Sequence, residues 1–110
     1  MKFYIEIYQA SSGRKPFDLW FKKLKDSKIK ALILSKIDGI KLGNLSDVKS
    51  VGGGVNEIRI HTGPGYRIYF AKSGLKIILL LCGGAKDTQE KDISNAKKYY
   101  SDYKTQKESK

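Results

Sequence analysis

The sequence predicts an α+β domain with the element order β-α-α-β-β-β-α and a mainly antiparallel four-stranded sheet. Three observations carry this. Apolar residues recur at helical spacing over residues 16–42, at alternating spacing over 55–82, and at helical spacing again after Asp87. The connections between the strand segments are short, which favours sequential hairpins and hence antiparallel pairing with the helices packed on one face. At 110 residues and 12.4 kDa the chain is long enough for one ordinary core, so residues 1–110 are read as a single domain.

Taken in order, FYIEIY at 3–8 is aromatic and β-branched and reads as a strand. Pro16 suits the first position of a helix, and Phe17, Trp20, Phe21 and Leu24 give that helix an apolar face. Asp26-Ser27 caps a second helix with the stripe Ile29, Leu32, Ile33, Ile37 and Ile40, and Gly43 stops it. A short connection makes the pair an antiparallel hairpin. Asn44–Gly54 reads as a loop made mobile by three glycines.

In the next strand Ile58 and Ile60 alternate with Glu57, Arg59 and His61, and in its partner Tyr66, Ile68 and Phe70 alternate with Arg67 and Tyr69. A three-residue loop within T-G-P-G puts Arg59 and Arg67 on one face and the isoleucines on the other. A two-residue loop would bury Arg67 among the isoleucines, so charge selects the register. Lys76–Cys82 is a continuous apolar run once past its lysine, as in a central strand, and Gly83-Gly84-Ala85 ends it. Asp87 and Glu90 have capping-box spacing for a last helix carrying Ile93, Ala96, Tyr100 and Tyr103, with residues 104–110 as a frayed polar tail.

The formal net charge is +11, from 22 Lys and Arg against 11 Asp and Glu, which favours a polyanionic partner. The single cysteine, Cys82, lies in an apolar run and reads as a buried small hydrophobe. No Cys/His cluster is spaced for zinc, no leader-like apolar segment follows Lys2, and the run Ile77–Cys82 is too short to span a bilayer. These features predict a cytoplasmic protein with no cofactor and no membrane partner.

Arg59 and Arg67 are two of only three arginines in a lysine-rich chain, and arginine offers a planar fork matched to phosphate. Lys86 falls where the third strand of this run meets the last helix, and His61 follows Arg59 on the same face. Histidine is the side-chain type suited to exchanging protons at neutral pH. The four fit a phosphodiester cleavage: a base takes the ribose 2′-OH proton, cations hold the charged transition state, and an acid protonates the leaving 5′ oxygen. Each has a plainer reading. The arginines could pair with Glu57, or with Asp87 and Asp92, while His61 and Lys86 could be ordinary surface residues. Tyr69, Lys72 and Lys91 are further candidate RNA contacts, and Tyr66 falls on the core face.

The segments EIRIHTGPGYRIYF and LLLCGGAKDTQEKDI resemble the RelE/HigB-type toxins of bacterial addiction modules, and in particular the branch called addiction module killer proteins. The resemblance runs from the first strand to about Tyr103 and is most specific in G-P-G-Y-R-I-Y-F and L-C-G-G-x-K-x-T-Q-x-x-D-I. It implies the RelE/ParE toxin fold and metal-free cleavage of mRNA in the ribosomal A site. It also implies a HigA-like antitoxin with a helix-turn-helix domain, bound in a heterotetramer. By the same resemblance Arg67 corresponds to the arginine at the scissile phosphate, and Arg59 and Lys86 to flanking basic residues. Two positions depart from the pattern: RelE has a tyrosine where this chain has Asp92, and His61 stands where the branch often has an acidic residue. The competing classes are a ParE-like inhibitor of DNA gyrase and a protein that only represses transcription with its antitoxin.

Overall fold

A computed structural model describes residues 2–108. Its strands are β1 (Tyr4–Ile7), β2 (Val48–Gly52), β3 (Val55–Ile60), β4 (Tyr66–Ser73) and β5 (Ile77–Gly84), and its helices are α1 (Pro16–Lys23), α2 (Ser27–Lys41) and α3 (Gln89–Glu108). The strands form one mixed sheet in the order β1-β5-β4-β3-β2, with β1 parallel to β5 and every other pair antiparallel.

The helical hairpin forms where the apolar spacing places it. Pro16 occupies the first turn of α1, and the Asp26 carboxylate accepts from the Lys28 N–H at 2.9 Å to cap α2. At the other end Gly43 donates to Ile40 O (2.9 Å) and Asn44 to Gly39 O (2.8 Å), the paired bonds of a Schellman stop. Ile29, Ile33, Ile37 and Ile40 are buried against Ile58, Ile60, Ile68, Phe70, Ile78 and Leu80 of the sheet. Each such side chain contributes roughly 1.5–3 kcal/mol by leaving water.

The structure changes several expectations. The sheet has five strands, because part of the expected loop 44–54 is the edge strand β2. Gly53 and Gly54, with φ of 64° and 80°, form the two-residue turn of a β2–β3 hairpin. That turn needs positive φ at both positions, so these glycines define a tight joint. Secondly, the helices cover both faces. Val55, Tyr69, Ala71, Leu79 and Leu81 pack under Ala96 and Tyr103 of α3, opposite the hairpin. Thirdly, the β3–β4 ladder keeps the expected parity but closes at Ile60↔Tyr66, so residues 61–65 form a longer loop. Fourthly, α3 opens through a 3-10 turn, Lys86–Thr88, with no side-chain cap, in place of an Asp87 capping box. It remains helical to Glu108, so residues 104–108 do not fray; the rest of the expected tail lies outside the described residues.

Gly83 and Gly84, expected to end the strand, instead belong to β5 and serve close packing from both sides. A bulge opposite Tyr69 and Phe70 makes Leu81 an extra residue, and both Leu81 and Cys82 pack toward α3. Beyond it Gly83 meets the Trp20 ring of α1, and Gly84 meets the Asp92 carboxylate of α3. A Cβ at either position would overlap those groups. Gly83→Ala should therefore cost about 1–3 kcal/mol, as overpacking does, and shift the denaturant midpoint without changing the slope. An unchanged midpoint would mean that Trp20 moves aside freely.

Candidate functional site: a cationic cleft at the end of β3 and β4

The register sets Arg59 and Arg67 directly opposite each other on the α3 side of the sheet. Two like charges so placed repel. Glu57, two residues earlier on the same face, resolves the conflict. Its carboxylate is 1% exposed, with Oε1 accepting from Arg59 Nε at 3.2 Å and Oε2 standing 3.5 Å from Arg67 Nε. The second contact is an ion pair without hydrogen-bond alignment. Gln89, the first residue of α3, donates its Nε2 to Glu57 Oε2 at 2.8 Å. Arg67 Nη1 donates to Gly65 O at 3.1 Å, which ties the arginine to the loop 61–65.

Around this cluster lies a cleft of about 190 Å³ lined by Arg59, Ile60, His61, Gly65, Tyr66, Arg67 and Lys86. Lys86 reaches it because the 3-10 turn passes beside the Gly65 turn, where a Cβ on Gly65 would lie 3.8 Å from Lys86 Cβ. Three cationic side chains against one carboxylate leave a local charge of +2, with His61 counted neutral. The two arginines differ sharply. The Arg59 side chain is 44% exposed and Arg67 only 6%. Arg67 is thus part of a buried pair, and Arg59 is the guanidinium open to an incoming anion.

Arg59, His61, Arg67 and Lys86 are therefore brought together as the sequence predicts, and the other three candidates are not. Tyr69 is fully buried under α3, so it cannot stack an RNA base. Burial, with the Glu57 carboxylate close to its hydroxyl, raises its phenol pKa. Lys72 alternates with Phe70 onto the hairpin face, far along β4, with its ammonium 5.1 Å from the Phe3 ring centroid. Lys91 lines a neighbouring hollow on the first turn of α3 and shares only Lys86 with the cleft. The expected alternative pairing of the arginines occurs with Glu57; among the described residues neither Asp87 nor Asp92 pairs with them.

Two further contributors differ from the sequence reading, which places Tyr66 on the core face and does not single out Gln89. Tyr66 faces the core, yet at the first position of β4 it is half-buried and lines the cleft, its ring edge-on to Trp20 at 6.2 Å between centroids. Gln89 meets Glu57 across 32 residues of sequence, and no periodic pattern announces such a contact.

Asp92 occupies a second, separate hollow with Arg14, Trp20, Cys82 and Tyr99. Its carboxylate accepts from the Thr88 hydroxyl at 2.6 Å, while burial raises its pKa. A carboxyl with a raised folded-state pKa favours the fold below its unfolded value, and that contribution is lost as pH rises through the folded value. Asp92→Asn should therefore gain stability over the wild type at neutral pH, and the gain should vanish in acid. Parallel denaturation curves at the two pH values would check this, and an equal difference at both would refute it. Burial also pushes the Cys82 thiol up to about 12, so it stays an inert part of the α3 layer.

Over 81 aligned residues the chain is 47% identical to an uncharacterized protein of Haemophilus influenzae, a match that takes in 74% of this chain and 82% of that one. The chain belongs to the family of that protein. No family model matches the sequence. Among the described residues no helix is long and apolar enough to cross a membrane, and no group of three or more His, Cys, Asp or Glu is placed to hold a metal ion.

Proposed function

We propose that this family member is the toxin of a type II toxin-antitoxin system, with a RelE/HigB-like fold, that cleaves mRNA in the A site of translating ribosomes. The observation that carries the reading is the convergence of Arg59, His61, Arg67 and Lys86, from separate segments, on one cleft of net positive charge. In the proposed reaction the 2′-oxygen attacks phosphorus and the bond from phosphorus to the 5′ oxygen breaks, leaving a cyclic phosphate and a 5′-OH. Arg59 and Lys86 hold the charge on the non-bridging oxygens, and His61 serves as the acid or the base. The pair is incomplete within the chain, which is why the ribosome is the expected co-substrate. The +11 chain acts in the cytoplasm and is neutralised by a helix-turn-helix antitoxin whose acidic or amphipathic segment covers the cationic surface.

A gyrase-inhibiting, ParE-like role is the second reading. One observation favours it: Glu57 is ion-paired to both arginines, as in a purely structural cluster.

The two separate cleanly in vitro. Purified protein should cut a reporter mRNA on programmed ribosomes and leave the same RNA nearly intact when ribosomes are omitted. His61→Ala in the same assay assigns the histidine: a loss of roughly a hundredfold, within the range of acid–base catalysis, makes it the proton-transfer group. Intact RNA in both arms, with loss of gyrase-dependent supercoiling, would favour the second reading.

A further inference from the structure

Glu57 is the most deeply buried charged side chain of the described residues, yet it sits directly beneath the most exposed arginine of the cleft. A buried carboxylate needs a complete set of partners. Here those partners are Arg59 Nε at 3.2 Å, Arg67 Nε at 3.5 Å and Gln89 Nε2 at 2.8 Å, with the buried Tyr69 hydroxyl close by. The Arg59 contact uses Nε, which leaves both Nη groups without a hydrogen bond among the described residues. The guanidinium is thus held from behind and presents its fork outward.

We propose that Glu57 is a positioning residue of this cleft: it orients the guanidinium planes of Arg59 and Arg67, cancels one of their two charges, and is itself anchored to α3 by Gln89. The proposal rests on the phosphodiester-cleaving reading of the cleft. A fixed fork meets a phosphate with little loss of side-chain freedom, and rate depends steeply on such alignment. Without Glu57 the opposed arginines repel and rotate apart. The cleft then gains charge and loses geometry, so RNA binds no less tightly but reacts more slowly.

The test compares wild type, Glu57→Gln and Gln89→Ala by two readouts. One is single-turnover cleavage of ribosome-bound mRNA against ribosome concentration. The other is the ¹⁵N NMR signals of the arginine Nε–H groups, with and without a short non-cleavable RNA. In Glu57→Gln the saturated rate should fall roughly tenfold to a hundredfold, with half-saturation unchanged or lower. The Arg59 and Arg67 signals should broaden together. In Gln89→Ala, which keeps the charges, the rate should fall several-fold with smaller shifts in the same signals. If Glu57→Gln does not fold, Gln89→Ala alone decides. Unchanged arginine signals and an unchanged saturated rate would overturn the proposal, as would a loss of RNA binding in step with rate. Should wild type leave mRNA intact on ribosomes, the ribonuclease reading fails. The arginine signals then still decide whether Glu57 orients the guanidinium pair.

Discussion

Arg59→Ala should abolish most RNA cleavage in a protein that still folds, with some stability lost because buried Glu57 gives up its hydrogen bond to Arg59. The side chain is 44% exposed and holds one face of the cleft, so its loss opens no core cavity. If its fork stabilises charge that develops on the phosphate, removal costs about 2–4 kcal/mol in the transition state, as loss of an oxyanion-hole donor does. That is about a hundredfold or more in rate. Arg59→Lys keeps the charge without the fork and should restore only part of the activity. Single-turnover cleavage on ribosomes measures the rate, and thermal unfolding controls for the fold. Full activity in a folded Arg59→Ala protein would place the chemistry elsewhere.

Arg67→Ala should behave differently, because it strikes stability as well as rate. The Arg67 side chain is 6% exposed, and its removal takes one of two cationic partners from a buried carboxylate. Breaking a buried pair in this way costs about 3–5 kcal/mol. The contacts that Glu57 keeps with Arg59 and Gln89 put this variant near the lower end. The melting temperature should drop by roughly 10 °C or more for a domain of this size. The double variant Glu57→Gln/Arg67→Met removes the charge pair together and should recover much of that stability without recovering cleavage. A single Arg67→Ala protein as stable as wild type would show that the pair contributes nothing to the fold.

The sequence made the hairpin, the three apolar strands and the last helix legible, because each element repeats its own period over several turns or residues. The β3–β4 register was legible for an electrostatic reason. Only one parity keeps Arg59 and Arg67 away from the isoleucines, and the ladder has it. Edge strand β2 was not, since its outward residues Lys49 and Ser50 carry no apolar alternation and a bulge interrupts the spacing of Val48 and Val51. The Gly53-Gly54 pair was the available signal, as a two-glycine joint is a hairpin signature.

The second packing layer was the larger omission. Tyr69 and Ala71 alternate with Ile68 and Phe70, so β4 is apolar on both faces, the pattern of a strand covered twice. Reading the arginine face as open hid three things at once: that Tyr69 is buried, that Arg67 is internal, and that α3 supplies Gln89. Of the candidate site, the four converging side chains were visible from residue type and strand position. The geometry that divides their labour was not, because it depends on a contact between β3 and α3.

The central claim is that the cleft cuts translated mRNA. Its most direct measurement is transcriptome-wide mapping of RNA 5′ ends after brief induction, with wild type and folded Arg59→Ala compared side by side. New 5′ ends should appear inside translated reading frames in the wild type and be largely missing from the variant. Transcripts that remain intact while cells stop growing, with plasmids losing supercoils, would contradict it.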